Sequence, residues 1–348
     1  MRDKISKIME RESLTYKSLA KSIGWSDGVL CKFISKGDTV KFDVVYDVVS
    51  YLLEGEEHEA MKYFCDEFTK PSDLKLTLEY FSLHNDISEL SKYLNRSCGI
   101  NNKELKEWVE LYKIVLSLKR EEISLVDAYD QIKQSTCSSN DSKIQQRIME
   151  IGILYKMDEF RYLLHLGKKV EDQIEAMPNC FLKKSFKAKY LQHKAYVSLY
   201  LNCNTEEARK CAKEGIKYNM TKVLNSFFYS IIGISYTYES PKDMISYLKI
   251  STDVLSQTDN FNEAMEMSKT YKHVINIVNN ELDKDDYNSK EPLSVFISGK
   301  NSNNQSEMLI AYSMILKDRN FFLSKIISDE LISAGCNPAL IESMRNIV

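Results

Sequence analysis

Five lysines lie within residues 14–41, where only two aspartates oppose them, so this short segment carries a local net charge of +3. Ammonium groups at this density suit contacts with the phosphates of nucleic acid. The excess is small, and tight binding would therefore need two such segments acting together. The residues that we expect at a DNA surface are Lys17, Lys21, Ser26, Asp27, Gly28, Cys31, Lys32, Lys36 and Lys41.

The spacing of small and apolar residues in the same segment predicts a helix-turn-helix. Its first helix should cover residues 16–23, and Gly24 and Trp25 should form the turn. Ser26 would then cap the second helix, because serine accepts hydrogen bonds from the free amides of a helix start. The first turns of the second helix reach base edges in such folds, so Asp27, Gly28, Cys31 and Lys32 are the expected readers and the other lysines the expected phosphate contacts.

Apolar residues on both sides complete a small helical unit. An earlier helix is expected around Ile5 and Met9, and a later one over residues 42–52. Together they predict a four-helix DNA-binding domain, residues 1–55. The alternative is a helical bundle whose lysines merely solvate its surface.

The rest of the chain repeats a simpler pattern. From residue 57, apolar residues recur at three- and four-residue spacing over 12–20 residues, and a short polar turn follows each run. Units of 34–45 residues suit tetratricopeptide-like helical hairpins. We therefore predict an all-α fold in which the helix-turn-helix domain precedes a superhelical repeat array, residues 56–335, closed by a C-terminal helix, residues 336–348. The predicted hairpins pair 143–155 with 160–175, 182–201 with 206–219, 222–238 with 242–257, and 306–316 with 321–333, and a further helix covers 262–280.

Stacked hairpins leave a concave groove, and polar or aromatic residues on the first helix of each hairpin would line it. Asparagine side chains there could bracket the amides of an extended peptide, since each offers a donor and an acceptor. The alternative at each position is a solvated helix residue. The candidates are Lys194, Ser198, Asn202, Asn225, Tyr229, Ser235, Tyr271 and Asn276.

Segment 281–305 interrupts the helical pattern. It begins acidic, carries the short apolar run 293–297, and ends in a polar tract. We interpret it as a long insertion between repeats, ordered at most in its middle.

No motif indicates catalysis or a cofactor. The sequence has no glycine-rich phosphate loop and no G-x-S-x-G turn, and its five histidines are isolated from one another. The eight cysteines form no C-x-x-C pair, so we expect buried thiols rather than a metal site. No apolar run approaches the ~20 residues that span a bilayer, which predicts a cytosolic protein without membrane contact.

Four stretches resemble the arbitrium receptors (AimR family) of temperate phages, which belong to the tetratricopeptide-repeat peptide-pheromone receptors. The resemblance rests on the head at 15–53, on the run from Glu57 to Asp86 with LTLEY at 76–80, on FLKKSFKAKYLQHKAYVSLYLNCNTEEARKCAKEGI at 181–216, and on the ending SDELISAGCNPALIESMRNI. It covers nearly the whole chain at low specificity per residue.

This resemblance implies a dimeric transcriptional regulator of the choice between lysis and lysogeny. Its partners would be operator DNA and a six-residue signalling peptide with a free carboxylate and one basic residue. By position, Asn202 matches a family asparagine of the groove. Val223 stands where the family commonly has an arginine suited to the carboxylate, so Lys222 or Lys194 would substitute, and Ile234 also replaces a polar residue.

The terminal helix offers an apolar face to a second copy. No later repeat covers this face, so pairing with its copy in a homodimer would hide it from water. The alternative is a cap that packs within the chain. The face comprises Leu340, Ile341, Met344 and Ile347.

Two other functions stay open. A constitutive DNA-binding repressor would use its repeats only for assembly, and no peptide would then alter its DNA binding. A protein-binding adaptor akin to the Rap-type inhibitors of response regulators would use the helical head to grip a partner, and Lys32 would then be dispensable.

Overall fold

The computed structural model describes residues 1–38, 40–157, 159–258, 292–317 and 320–347, without the side chains of 160–165, 346 and 347. Every regular element in these ranges is a helix, which confirms the all-α prediction. The first ten are α1 Arg2–Arg11, α2 Tyr16–Ile23, α3 Asp27–Ile34, α4 Phe42–Leu52, α5 Glu57–Cys65, α6 Pro71–Leu83, α7 Ile87–Cys98, α8 Lys103–Lys119, α9 Leu125–Gln134 and α10 Asn140–Lys156.

The later helices follow the predicted hairpins within one to three residues at most ends. A π-helical turn, Val197–Leu201, continues α12 directly. The predicted helix 262–280 lies outside the described residues. The elements are α11 Phe160–Glu175, α12 Phe181–Tyr196, α13 Thr205–Tyr218, α14 Lys222–Ser235, α15 Pro241–Leu255, α16 Pro292–Asn301, α17 Gln305–Lys317, α18 Phe321–Ser333 and α19 Pro338–Ile347.

The chain divides into two compact units. One comprises Met1–Ile153 with Asp172–Ser185, and the other Leu154–Glu171 with Phe186–Val348. These limits differ from those of the predicted domains 1–55, 56–335 and 336–348. The predicted domains divide the chain by function, and that division stays a prediction. Helices α1 to α4 therefore share a compact unit with the helices that follow them.

Within the first unit, helices α1 to α4 pack around one small core. Ile5, Leu19, Leu30, Phe33 and Val48 are fully buried, so each of the four helices contributes apolar surface to that core. Burying such side chains contributes about 1.5–3 kcal/mol each. The core fixes the angle between α2 and α3, on which any reading of DNA by α3 depends.

The part of segment 281–305 that the structure describes is ordered around its apolar run, as expected, but the expected break in the helical pattern is wrong there. Residues 292–301 form α16, and α17 already begins at Gln305. Leu293, Phe296 and Ile297 are buried because α16 packs along α17. Tertiary packing thus stabilises a helix in a segment whose short apolar run and polar flanks gave it little helical character.

Only part of the prediction for the cysteines holds. Cys65, Cys211 and Cys336 are buried, whereas Cys98 is exposed and the other four are half-buried. Burial raises the pKa of both the Cys65 and the Cys211 thiols to about 12. These two side chains are therefore neutral, small apolar groups in the core.

Gly215 makes the contact between α13 and α14 possible. A Cβ built at this position would lie 2.2 Å from a ring atom of Phe228, whose side chain is fully buried and cannot swing away. Gly215→Ala is expected to lower the free energy of unfolding by about 1–3 kcal/mol, as overpacking does. Urea unfolding measures the loss.

Gly28→Ala is the matched control, because Gly28 lies inside α3 and a Cβ there would meet no atom within 4 Å. This control should gain about 0.5–1 kcal/mol, since alanine favours helix over glycine. Equal stability of Gly215→Ala and the wild type would contradict the close packing.

Candidate functional site

The turn between α2 and α3 forms as the sequence predicts. Gly24 has a φ of 76°, a conformation that favours glycine, and its N–H donates to the carbonyl of Ala20 at 2.9 Å. The Ser26 hydroxyl then accepts from the Val29 N–H at 3.4 Å and caps α3. The local geometry of a helix-turn-helix is therefore complete.

Most of the residues predicted to contact DNA are accessible to solvent. Cys31 is half-buried, and the other eight are exposed. None of the five lysines forms an ion pair within the part of the chain that the structure describes. Their charges are thus available to phosphates. The exposed eight are Lys17, Lys21, Ser26, Asp27, Gly28, Lys32, Lys36 and Lys41.

Arg2 supports the far end of α3, a role that the sequence analysis did not detect. Its Nε donates to the Phe33 carbonyl at 3.0 Å, and its Nη1 donates to Glu67 Oε1 at 2.7 Å. The hydrogen bond with Glu67 raises the pKa of Arg2 above its usual value. The contact joins residues 65 positions apart, which no local pattern could indicate.

Lys194, a candidate for the peptide groove, already has acidic partners. Its Nζ lies 3.2 Å from Glu171 Oε1 and 3.7 Å from Glu207 Oε1. Burial alone would lower the pKa of Lys194, but the hydrogen bond with Glu171 outweighs it and the pKa is raised. Lys194 is therefore a charged residue held in place, and a ligand carboxylate would compete with Glu171 for it.

Ser198 and Asn202 lie at the π-helical turn. Ser198 is only 6% exposed, and its carbonyl accepts the Asn204 N–H at 2.7 Å. Asn202, which ends the turn, is exposed. Turns of this kind occur frequently at functional sites, because the extra residue re-aims the side chains that follow. Of the two residues, Asn202 is the one free to meet a ligand.

The candidates on α14 have different environments. Lys222 is exposed, and Tyr229 is half-buried with its ring stacked on Tyr247 at 6.5 Å between centroids. Ser235 is 1% exposed and donates to the Ile232 carbonyl at 2.6 Å, which leaves its hydroxyl satisfied. Asn225 differs, since its Oδ1 is buried yet finds no donor among the described residues. It offers a ready acceptor to a bound group.

An open cavity of about 950 Å³ lies along the outer face of α13. Sequence reasoning missed this surface because it assigned the groove to the first helices of the hairpins, although the spacing of charges along α13 marks one face. Glu207 in its wall is the same carboxylate that faces Lys194. The described lining is Asn204, Glu206, Glu207, Arg209, Lys210, Lys213, Glu214 and Lys217, whereas the candidates Tyr271 and Asn276 lie outside the described residues.

The residues of the predicted dimer face on α19 differ in their exposure to solvent. Leu340 is 46% exposed, but Ile341 is 4% exposed and packs within its own chain. Met344 is half-buried, and the side chain of Ile347 lies outside the described residues. Ile341 thus packs within the chain as a cap would, whereas Leu340 stays accessible.

Among the described residues, no three side chains of His, Cys, Asp and Glu converge as metal ligands would. No described helix combines the length and the apolar character that a membrane span requires.

A family model decides the classification. The model described as AimR transcriptional regulator-like matches residues 56–322. The chain belongs to this family. It is a family of transcriptional regulators rather than of enzymes.

Individual relatives of the AimR-like family are distant. The AimR transcriptional regulator of Bacillus phage phi3T is 24% identical over 186 residues, which cover 53% of this chain and 48% of the relative. The chain thus spans about half the length of the curated relative that it matches.

Two solved structures share the fold. Selenomethionine-labelled phAimR superposes with a TM-score of 0.73 at 17% identity over 99% of both chains. The structure of phAimR with its ligand gives 0.67 at 16% identity, covering 85% of this chain and 98% of the other. At these identities the likeness concerns the fold alone.

Proposed function

We propose that the chain is a DNA-binding transcriptional regulator whose operator binding responds to a short peptide. The unpaired, exposed lysines around α3 carry this proposal, because lysines of this kind contact phosphates while the start of the reading helix contacts bases. Membership of the AimR-like family supports it. A homodimer fits as well, since two heads would read two half-sites and double a small positive charge.

The peptide is proposed to have about six residues, with a free carboxylate and one basic side chain. The surface along α13 offers both signs of charge, with Lys210, Lys213 and Lys217 beside Glu206 and Glu214. Asn202, Lys222 and the free Oδ1 of Asn225 add polar contacts nearby in sequence. A peptide of this kind could therefore pair each of its charges with an opposite one.

We further propose that the regulator controls the choice between lysis and lysogeny of a phage inside its bacterial host. The match to a regulator of a Bacillus phage supports this role. The peptide can change DNA affinity only through its different affinities for the DNA-competent and DNA-incompetent arrangements of the protein.

The test is linkage between the two ligands. A duplex is first selected by the wild-type protein from a randomised DNA pool. Synthetic hexapeptides are taken from the end of any short secreted precursor encoded by the reading frame immediately downstream. Calorimetry then measures peptide affinity with and without the selected duplex, and we expect a difference of about 5- to 150-fold.

Two other outcomes would each contradict part of the proposed function. Equal peptide affinities in both settings would overturn the coupling and indicate a peptide-independent repressor. Failure to select any duplex, together with full activity of Lys32→Ala in the host, would overturn DNA binding and indicate a protein-binding adaptor.

A further inference from the structure

Asp47 on α4 joins two distant parts of the first compact unit. Its Oδ2 accepts the indole N–H of Trp25 at 2.9 Å, and its Oδ1 accepts from Lys184 Nζ at 3.0 Å. Trp25 belongs to the turn before the reading helix, and Lys184 to the first turns of α12. We name Trp25, Asp47 and Lys184 the Asp47 clasp.

The start of α12 is held against α4 by more than this one pair. The Phe181 N–H, unpaired within its own helix, donates to Asp43 Oδ1 at 2.7 Å. The Phe181 ring packs on Phe42 and Tyr46, with centroids 5.0 and 4.7 Å away. Positions 42, 43, 46 and 47 form one face of α4. This face of α4 is therefore a docking surface for α12.

On the other side, the clasp reaches the base-reading end of α3. Trp25 immediately precedes Ser26, the cap from which α3 starts. Its own N–H donates to the Ala20 carbonyl at 3.0 Å, so the backbone of the turn is fixed to α2 while the indole is fixed to α4. The clasp therefore links the residue just before the cap of α3 to both α4 and α12.

We propose that Asp47 is a positioning residue for DNA reading, which sets the entry angle of α3 through Trp25 and is itself set by Lys184. This proposal rests on the proposed DNA-binding function. It predicts a specific effect, because base contacts require an accurately placed helix whereas non-specific phosphate contacts do not.

The test compares Asp47→Asn, Trp25→Phe and Lys184→Met with the control Lys183→Met. Lys183 is adjacent on α12 but contacts carbonyls at 175 and 177 instead of the head. We expect the three clasp variants to bind the selected duplex roughly three- to tenfold more weakly, the size of a partly exposed hydrogen bond to a charged group, and a scrambled duplex unchanged. In the double variant of Trp25→Phe and Lys184→Met, the loss of affinity for the selected duplex should be smaller than the product of the two single losses. Both substitutions act through the same carboxylate, that of Asp47.

A second readout needs no DNA. The chain has two tryptophans, so ¹⁵N-labelled indole groups give two signals, and Trp25→Phe assigns them. Lys184→Met should shift the Trp25 signal, and Lys183→Met should leave it in place.

The outcomes separate this proposal from the one on which it rests. The positioning role is overturned if the clasp variants lose affinity equally for the selected and the scrambled duplex. It is also overturned if they bind both duplexes as tightly as the wild type does. If the wild type selects no duplex although the Trp25 signal shifts as expected, DNA binding is overturned and the positioning role falls with it, while the clasp itself stands as a structural contact.

Discussion

Replacing Phe181 with alanine is expected to lower the free energy of unfolding by about 3–5 kcal/mol, the usual cost of removing a buried aromatic side chain. Phe181 is 1% exposed and lies against Phe42 and Tyr46 of α4. The cavity would open between α4 and the start of α12. Denaturant unfolding followed by circular dichroism measures the loss, and operator affinity should fall as well.

Tyr51→Ala is the control for this variant. Tyr51 is also an aromatic residue of α4, but it is 48% exposed, so its loss should change stability by no more than about 0.5 kcal/mol. If the Phe181→Ala protein were as stable as this control, α12 would not stabilise helices α1 to α4.

Replacing Lys32 with glutamate should nearly abolish specific DNA binding without unfolding the protein. Lys32 is exposed on α3, and a base contact is worth about 1–3 kcal/mol in each protomer. Two copies in the proposed dimer would therefore cost about 2–6 kcal/mol, or roughly 30-fold to 2 × 10⁴-fold in affinity for the selected duplex. Fluorescence anisotropy with the labelled duplex measures it.

Lys103→Glu makes the same change of net charge at an exposed position on α8. It should bind the selected duplex as the wild type does, within about twofold at matched salt. If both variants lost affinity equally, net charge rather than a reading helix would explain binding.

The head could be predicted from sequence because its signals are local. The helix at 16–23, the turn at Gly24 and the cap at Ser26 each depend on residues within four positions, and all are confirmed. The last helix, opened by Pro338, was predictable for the same reason. Within the described residues, the alternation of helices and short turns in the body followed equally from periodicity.

What the sequence could not reveal depends on distant contacts. Lys194 looked free for a ligand carboxylate, but Glu171, 23 residues earlier, already holds it. Helix α16 lacks a strong pattern and forms where α17 covers it. The glycine at position 299 is the one sequence feature that could have indicated this packing. A Cβ there would lie 2.9 Å from the backbone of Met308, so only glycine allows α16 and α17 to approach this closely.

The contact between Asp43 and Phe181 also has a consequence for synthesis. The two residues are 138 positions apart, so α4 meets the start of α12 only after a long further stretch of chain has been made. At about 5–20 residues per second, translation of that stretch takes roughly 7–30 s. A chain released before residue 181 would carry all five lysines of residues 14–41 but lack the support of α12. Premature termination should therefore yield a poorly folded product that the cell degrades, and not an unregulated DNA-binding fragment.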